Sequence, residues 1–369
     1  MNANALDNEL LKLSLSPIAP WVDDPDVTDI LVYGSQNVYV RRRGGAFEGV
    51  DAAWFSDADL MTAAKTIGRQ MARRLDSRSP ILDARLPDKS RVNIIVDPCY
   101  HRGACIVIRR FPENQLTLED LIGYGSIDRA GATIIEAIVR LGKNMLISGG
   151  TGSGKTTLLN CICSFIPASD VVVTVEDARE IAISNELWVA LETKRALDAD
   201  DREVTLRDLV RTSLRLNPRW VIVGEVRGPE ALDLVRAFNT GHCGAGTIHA
   251  NSAYDALLAL EGLILQSGLD VPARAVKEMV SRAIHTVVQV GELSDHSRRV
   301  MEIAEVQGLD YDRSATFPPY KLRTLYQFEF GFYGIDGKAH GQFMVRETPS
   351  WLKDLQLIPN YQMPDFWRQ

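Results

Sequence analysis

Residues 149–156 read Gly149-Gly150-Thr151-Gly152-Ser153-Gly154-Lys155-Thr156, and this stretch decides how the rest of the chain is to be read. It fits G-x-x-x-x-G-K-[ST] in full, the pattern of a phosphate loop. The loop follows an apolar run, KNMLIS (143–148), and precedes a helical run that begins Thr156-Thr157-Leu158. Glycines let the backbone wrap so that successive N–H groups point inward, and those donors with the helix N-terminus hold an oxyanion. Lys155 then supplies a point charge to the outer phosphates, and the Thr156 hydroxyl is the expected Mg2+ ligand. The expected ligands are therefore nucleotide phosphates and Mg2+.

Working outward, the next apolar strand, WVIVGEVRG, ends on Glu225. The usual nucleotide-site pattern has an Asp one residue earlier, where this chain has Gly224. An acid at a strand tip beside the phosphate loop polarises the attacking water, so Glu225 is the candidate base. Without an acid at 224, Mg2+ falls to Thr156, phosphate oxygens and water. A second acidic station, Glu176-Asp177, ends DVVVTVED. Adjacent strand ends of a parallel sheet share one edge, which places Glu176 as a candidate for holding metal or water; the pattern leaves open that one of the two glutamates is structural. His242 and His249 flank the strand GAGTIH. Either imidazole can report on a γ-phosphate through a hydrogen bond, a packing histidine being the alternative. Arg227, two residues after the candidate base, is assigned to the nucleotide or to a neighbouring acid.

Short strands alternate with helices from residue 127 onward: 143–148, 170–176, 220–224 and 244–249 against helices at 155–164, 205–216, 229–239, 252–267 and 272–284. That alternation predicts an α/β fold with a mostly parallel sheet covered on both faces. The first 111 residues read instead as an α+β domain. Strands are expected at 28–33 and 37–42, a helix at 57–75 with Ser56 as N-cap, and a further strand pair in RVNIIVDP and ACIVIRRF. Pro, Asn, Gly and Ser breaks place a linker at 112–126, the nucleotide domain at 127–305 and a C-terminal extension at 306–369. That extension holds short strands and a final helix at SWLKDL.

The 369 residues suffice for two cores, and 46% hydrophobic content excludes dominant disorder. Lys and Arg number 41 against 48 Asp and Glu, a net charge of −7 that disfavours wrapping by nucleic acid. Five scattered cysteines read as free thiols of a reducing compartment. The N-terminal stretch lacks the pattern of a signal peptide, and no apolar window is long enough to span a membrane. Membrane association is therefore expected only through a partner.

Four blocks together, GGTGSGKTT, VEDARE, LRLNPRWVIVGEVRG and NTGHCGAGTIHANS, resemble those of the secretion-ATPase superfamily that powers type II secretion, type IV pili, Tad pili and type IV secretion. DPDVTDILVYGSQNVYVRRRG, DARLPDKSRVNIIVDP and IVIRRF are similar to the N-terminal domain of the Tad/Cpa pilus-assembly branch and of conjugative-transfer ATPases. The C-terminal FEFGFYGIDGKAHGQFMVRETPSWLKDL is similar to the Tad/Cpa branch too. The spacing between the histidines looks like that of the type II secretion branch, and the four-cysteine zinc element of many type II motors is missing.

The resemblance implies a PAS-like N-terminal domain, a RecA-like core and a homohexamer with nucleotide held between the two domains. It matches Arg85, Arg91 and Arg109 to N-terminal-domain arginines that reach the phosphates. It further implies a cytoplasmic ATPase, peripheral at the inner membrane, acting on a polytopic platform protein to drive pilus assembly or secretion. Alternatives are a conjugative or effector type IV secretion motor and a nucleotide-gated assembly module with negligible hydrolysis. A RecA-like DNA motor is the remaining class, and the acidic balance speaks against it.

Overall fold

The structure, a computed structural model, describes residues 11–42, 45–71, 73–110, 116–194, 196, 201–268, 271–313, 316–358 and 361–367. The chain divides into two compact units, residues 1–114 and 115–369.

In the first unit the strands are β1 (Val27–Tyr33), β2 (Val38–Arg42), β3 (Phe47–Gly49), β4 (Ile81–Arg85), β5 (Arg91–Val96) and β6 (Ala104–Arg109), with helix α1 (Asp57–Gln70) between β3 and β4. They form one antiparallel sheet in the order β3-β2-β1-β6-β5-β4. Ser56 caps α1 as the sequence suggests, accepting the Asp59 N–H at 3.2 Å. Alternating residues Ile30, Val32, Val92, Ile94, Ile106 and Ile108 bury one sheet face against Leu60, Ala64 and Ile67 of α1. Two strands were not anticipated. β3 is wholly exposed, and β4 is an edge strand that buries only Leu82, so neither has an apolar pattern to read.

The second unit begins with α2 (Leu118–Gly123) and α3 (Arg129–Arg140), and continues through β7 (Met145–Ser148), α4 (Lys155–Cys163), β8 (Val172–Glu176), β9 (Trp188–Glu192), α5 (Leu206–Ser213) and β10 (Trp220–Val223). Then follow α6 (Glu230–Asn239), β11 (Cys243–Ile248), α7 (Ala253–Leu265), α8 (Ala273–Ala283), β12 (Thr286–Glu292), β13 (Arg298–Leu309), β14 (Tyr320–Tyr333) and β15 (Ala339–Val345). All nine strands make one sheet, ordered β15-β14-β13-β12-β7-β11-β10-β8-β9. From β12 to β9 the pairing is parallel, and from β12 to β15 it is antiparallel.

Side-chain alternation sorts the sheet into two faces. Trp220 and Ile222 of β10 face α3, α4 and the C-terminal Trp351, Leu355 and Trp367. Val221 and Val223 face α5, α6, α7 and α8. The parallel half is thus covered on both sides, as its near-continuous apolar strands require.

Two boundaries differ from the sequence reading. In the 112–126 segment, residues 112–115 lie outside the described residues, and the remainder is not a linker. Thr117 and Asp120 make a capping box for α2, while Leu116, Leu118, Leu121 and Ile122 pack into the core. Its breaks are the end of that helix, with Gly125 at φ +67°. Nor is 306–369 a separate extension, because β13 runs through residue 306 and pairs with β12 on one side and β14 on the other.

Tyr326 of β14 shows how firmly the C-terminal strands belong to this core. It is fully buried, stacks on Phe343, and donates its hydroxyl proton to Asp128 Oδ1 at 2.8 Å. The same carboxylate caps α3 by accepting the Gly131 N–H at 2.8 Å. A Cβ on Gly131 would lie 2.5 Å from the Tyr326 ring. Gly131→Ala is therefore expected to lower unfolding stability by about 1–3 kcal/mol through overpacking. An unchanged or raised midpoint in urea unfolding followed by tryptophan fluorescence would refute this packing.

Candidate nucleotide site

Three parallel strands set the site. Register aligns Ser148 of β7 with Ile248 of β11, and Gly246 of β11 with Val223 of β10. The residues just beyond these ends, the loop from Gly149, Glu225 and His249, consequently emerge on one sheet edge. Gly152 and Gly154 turn the loop at φ +76° and +95°, where a side chain would be strained. Gly149 is packed so closely that a Cβ there would meet Val290 O at 2.5 Å.

Helix α4 starts at Lys155 with no side-chain cap on Gly154. Its first N–H groups, those of Lys155, Thr156 and Thr157, are left as donors without intrahelical partners, a fit for phosphate oxygens. Lys155 is buried, and its Nζ donates to Gly149 O at 3.0 Å and Gly150 O at 2.8 Å. Burial lowers the Lys155 pKa, and the charge of Glu225 acts the other way.

A line of polar contacts runs from that lysine. Lys155 Nζ is 3.4 Å from His249 Nδ1, and His249 Nε2 is 2.6 Å from Glu225 Oε1. An ammonium on one side and a carboxylate on the other assign the tautomer, with Nε2–H donating to Glu225 and Nδ1 accepting from Lys155. Glu225 Oε2 lies 3.6 Å from Arg227, which pairs in turn with Asp177. Five residues from three strand ends and one helix therefore share one network. The arrangement holds a carboxylate next to an ammonium at the mouth of an anion-binding loop, as hydrolysis of a phosphoanhydride needs.

The residues that fix Glu225 carry no motif. Thr247 donates its hydroxyl proton to Gly224 O at 2.6 Å, and its carbonyl accepts the Val226 N–H at 2.8 Å. The buried Glu230 accepts the N–H groups of Arg227 and Gly228 at 2.7 and 2.8 Å. Both are ordinary residue types in ordinary positions, and only three-dimensional contact reveals them.

Two expected members stand elsewhere. His242 precedes β11, so it sits at the entry edge of the sheet, the full strand length of roughly 20 Å from His249. There its Nδ1 is 3.1 Å from Ala237 O at the end of α6, which removes it from the phosphate edge of its own chain. Glu176 is the correction of more consequence. Its Oε1 accepts the Glu180 and Ile181 N–H groups at 2.8 and 2.9 Å, and its Oε2 is buried without a partner. The carboxyl is committed to its own turn rather than to Thr156 and a metal, and it is Asp177, the next residue, that joins the network. Among the described residues no cluster of three or more His, Cys, Asp or Glu is arranged to hold a metal.

Arg85, Arg91 and Arg109 belong to the first unit. Register sets Arg85 opposite Arg91, Arg91 opposite Arg109, Arg109 opposite Asp29, and Asp29 opposite Arg41. The result is a row of four arginines, on β4, β5, β6 and β2, interrupted by Asp29 on β1, along the sheet face away from α1. Asp29 is buried under it, 2.6 Å from Arg41 and 3.2 Å from Arg109. Burial pushes the Asp29 carboxyl up, but the hydrogen bonds of Arg41 and Thr28 and the two guanidinium charges hold it below its ordinary value.

Fold and edge together define a P-loop nucleotide-binding sheet. A profile of the Type II/IV secretion system protein family matches residues 12–317, and the chain belongs to that family. It is 32% identical to a putative conjugal transfer protein of Mycobacterium tuberculosis over 310 residues, covering 82% of this chain and 87% of the relative. It is 31% identical to conjugal transfer protein TrbB of Rhizobium radiobacter over 78% of this chain and 86% of that one. Among solved structures, the Legionella pneumophila ATPase DotB superposes with a TM-score of 0.55 at 20% identity, covering 80% of this chain and 79% of its own. The pilus retraction motor PilT with bound ADP gives 0.54 at 20% identity over 76% and 77%. The second unit accordingly has the RecA-like core of the secretion ATPases.

The buried Glu176 provides a test of the site's electrostatics. Burial raises its pKa to about 7 from 4.5, against the two N–H bonds, with Glu180 and Glu192 pushing the same way. The folded state therefore holds a proton that the unfolded chain has released between those values. Stability is lost as pH rises through the folded pKa, on the order of 2–3 kcal/mol between pH 5 and 8. Glu176→Gln keeps the acceptor for both N–H groups and cannot ionise, so wild type should lose stability relative to it over that range. Parallel urea-unfolding free energies for the two proteins at pH 5 and pH 8 would refute the assignment.

Proposed function

We propose that this chain is an ATP-hydrolysing motor of a pilus-assembly or secretion machine. The observation that carries the reading is the contact line Lys155–His249–Glu225–Arg227–Asp177 at the mouth of the phosphate loop. In this reading the loop N–H groups and Lys155 bind the β- and γ-phosphates, and Thr156 holds Mg2+. When bound, that ion supplies positive charge to the phosphate oxygens. Glu225 orients or deprotonates the attacking water. His249 links that carboxylate to Lys155, so that a change at the γ-phosphate alters the hydrogen bonds on both. Arg227 holds Asp177 and Glu225 apart at fixed distance.

Arg85, Arg91 and Arg109 supply the phosphate contacts that the resemblance implies. Arg91 lies 3.8 Å from Asp83, and Asp29 pairs with Arg41 and Arg109. The working form is a homohexamer, cytoplasmic and docked through a polytopic inner-membrane platform protein. No helix among the described residues is long and apolar enough to cross a membrane. A conjugative or effector type IV secretion motor is the second reading. It is favoured by the conjugal transfer relatives, which match three quarters or more of the chain.

Steady-state phosphate release tests the proposal. The rate per protomer should rise with protein concentration, and Glu225→Gln should lower it by about 100-fold or more while leaving ATP binding intact. Hydrolysis that survives the substitution would displace Glu225 as the base. Wild-type ATP binding with no turnover would favour a nucleotide-gated assembly module.

A further inference from the structure

The β12–β13 hairpin reaches the phosphate loop from the side opposite the acidic strand ends. Arg298, the first residue of β13, donates its Nε proton to Gly152 O at 2.7 Å, and its Cδ lies beside Gly154. Glu292, its cross-strand partner, belongs to the same hairpin, and a Cβ on Gly152 would lie 3.5 Å from its Oε2. The hairpin is itself anchored. Asp295 accepts the Ser297 N–H and hydroxyl at 3.0 and 2.6 Å and the Ala339 N–H of β15 at 2.8 Å. Ser294 donates its N–H to the Tyr333 hydroxyl at 3.0 Å. Burial works against the Asp295 charge, but these hydrogen bonds draw its pKa down to about 2, so the anchor stays ionised across the working range.

Resting on the reading of this loop as an ATP site, we propose that Arg298 is a positioning residue that holds the phosphate loop in its nucleotide-binding shape. The carbonyl and the following N–H of a trans peptide point in opposite directions. Pinning Gly152 O outward therefore turns the Ser153 N–H inward, where it already approaches Gly150 O at 3.4 Å and the Ser153 hydroxyl donates to the same carbonyl at 2.8 Å. A glycine-rich loop has many conformations to lose on binding, and a guanidinium contact made before ligand arrives removes part of that cost. No phosphate-loop motif specifies this arginine, since it lies 146 residues away in sequence.

The test compares wild type, Arg298→Met and Arg298→Lys by equilibrium titration with a fluorescent N-methylanthraniloyl ATP and Mg2+, alongside steady-state hydrolysis and thermal unfolding. Met keeps the aliphatic stem against Gly154, so folding is retained. Loss of a charge-assisted bond to a preorganised loop should weaken nucleotide affinity about tenfold, with KM rising in step and kcat within about twofold. Lys should fall between the two. Unchanged affinity in Arg298→Met, or a fall in kcat at unchanged affinity, would overturn the proposal. The underlying reading is tested by wild type alone. If wild type binds the probe without hydrolysing it, the ATPase reading fails while the affinity ratio still reports on Arg298; if wild type binds nothing, the nucleotide site itself fails and Arg298 with it.

Discussion

An ammonium taken out of water has to be met by acceptors, and Lys155 imposes that demand on everything around the loop. Two loop carbonyls satisfy part of it, and they are in reach only because the glycines let the chain fold back over the side chain. His249 supplies the next contact and Glu225 the countercharge behind it. Each must come from a different strand, so their meeting depends on the register of three parallel strands. A slip of one residue along β11 would turn His249 to the other face of the sheet and break the line. The parallel core is in this sense built around one buried charge.

The departure at Gly224 has a structural cause on the neighbouring strand. β8 and β10 are in register, so Glu176 lies beside Gly224, and a Cβ at 224 would sit 3.0 Å from Glu176 Cγ. An Asp at that position, as in the usual nucleotide-site pattern, would collide with the buried carboxyl. The two unusual features of the acidic strands are therefore one feature. Glu176 takes the space, closes its own turn through Glu180 and Ile181, and so fixes where Asp177 leaves the strand. Asp177 then holds Arg227, which borders Glu225. Glu176 acts on the site at one remove, by shaping the turn whose next residue reaches it.

Much of the core was legible because its signals are local. The loop motif, the apolar strands and the helical runs between them each report their own structure, and Ser56 announces a helix start by its type and place. The helix at residues 129–140, absent from the sequence reading, contains Gly131, and that glycine answers to Tyr326, a partner 195 positions later in sequence. β9 and β4 are half-exposed edge strands without apolar alternation, so no pattern marked them. In the site, residue type pointed to Lys155, Glu225 and His249, which the structure brings into one line of contacts. It misassigned Glu176 and His242 because the direction of a side chain and the end of the sheet at which it sits are properties of the packed structure. Thr247, Glu230 and Arg298 were invisible for the complementary reason: their role is a hydrogen bond to someone else's backbone.

The C-terminal strands show how far that reasoning reaches. Read as sequence, 306–369 is an appendage to a nucleotide domain, yet its residues close contacts on which the domain depends. Tyr326 holds the cap of α3, Ala339 and Tyr333 hold the β12–β13 turn, and that turn presents Arg298 to the loop. Either side of Tyr333, the β14–β15 hairpin carries exposed Phe332 and Ile335. The phosphate loop and an exposed apolar tip are thus joined through two hairpins by three directed hydrogen bonds, with no flexible connection between them. A shift of the loop by a fraction of an ångström has to be absorbed in those bonds or passed along them. A sheet edge built in this way gives the antiparallel strands a reason to be continuous with the parallel ones.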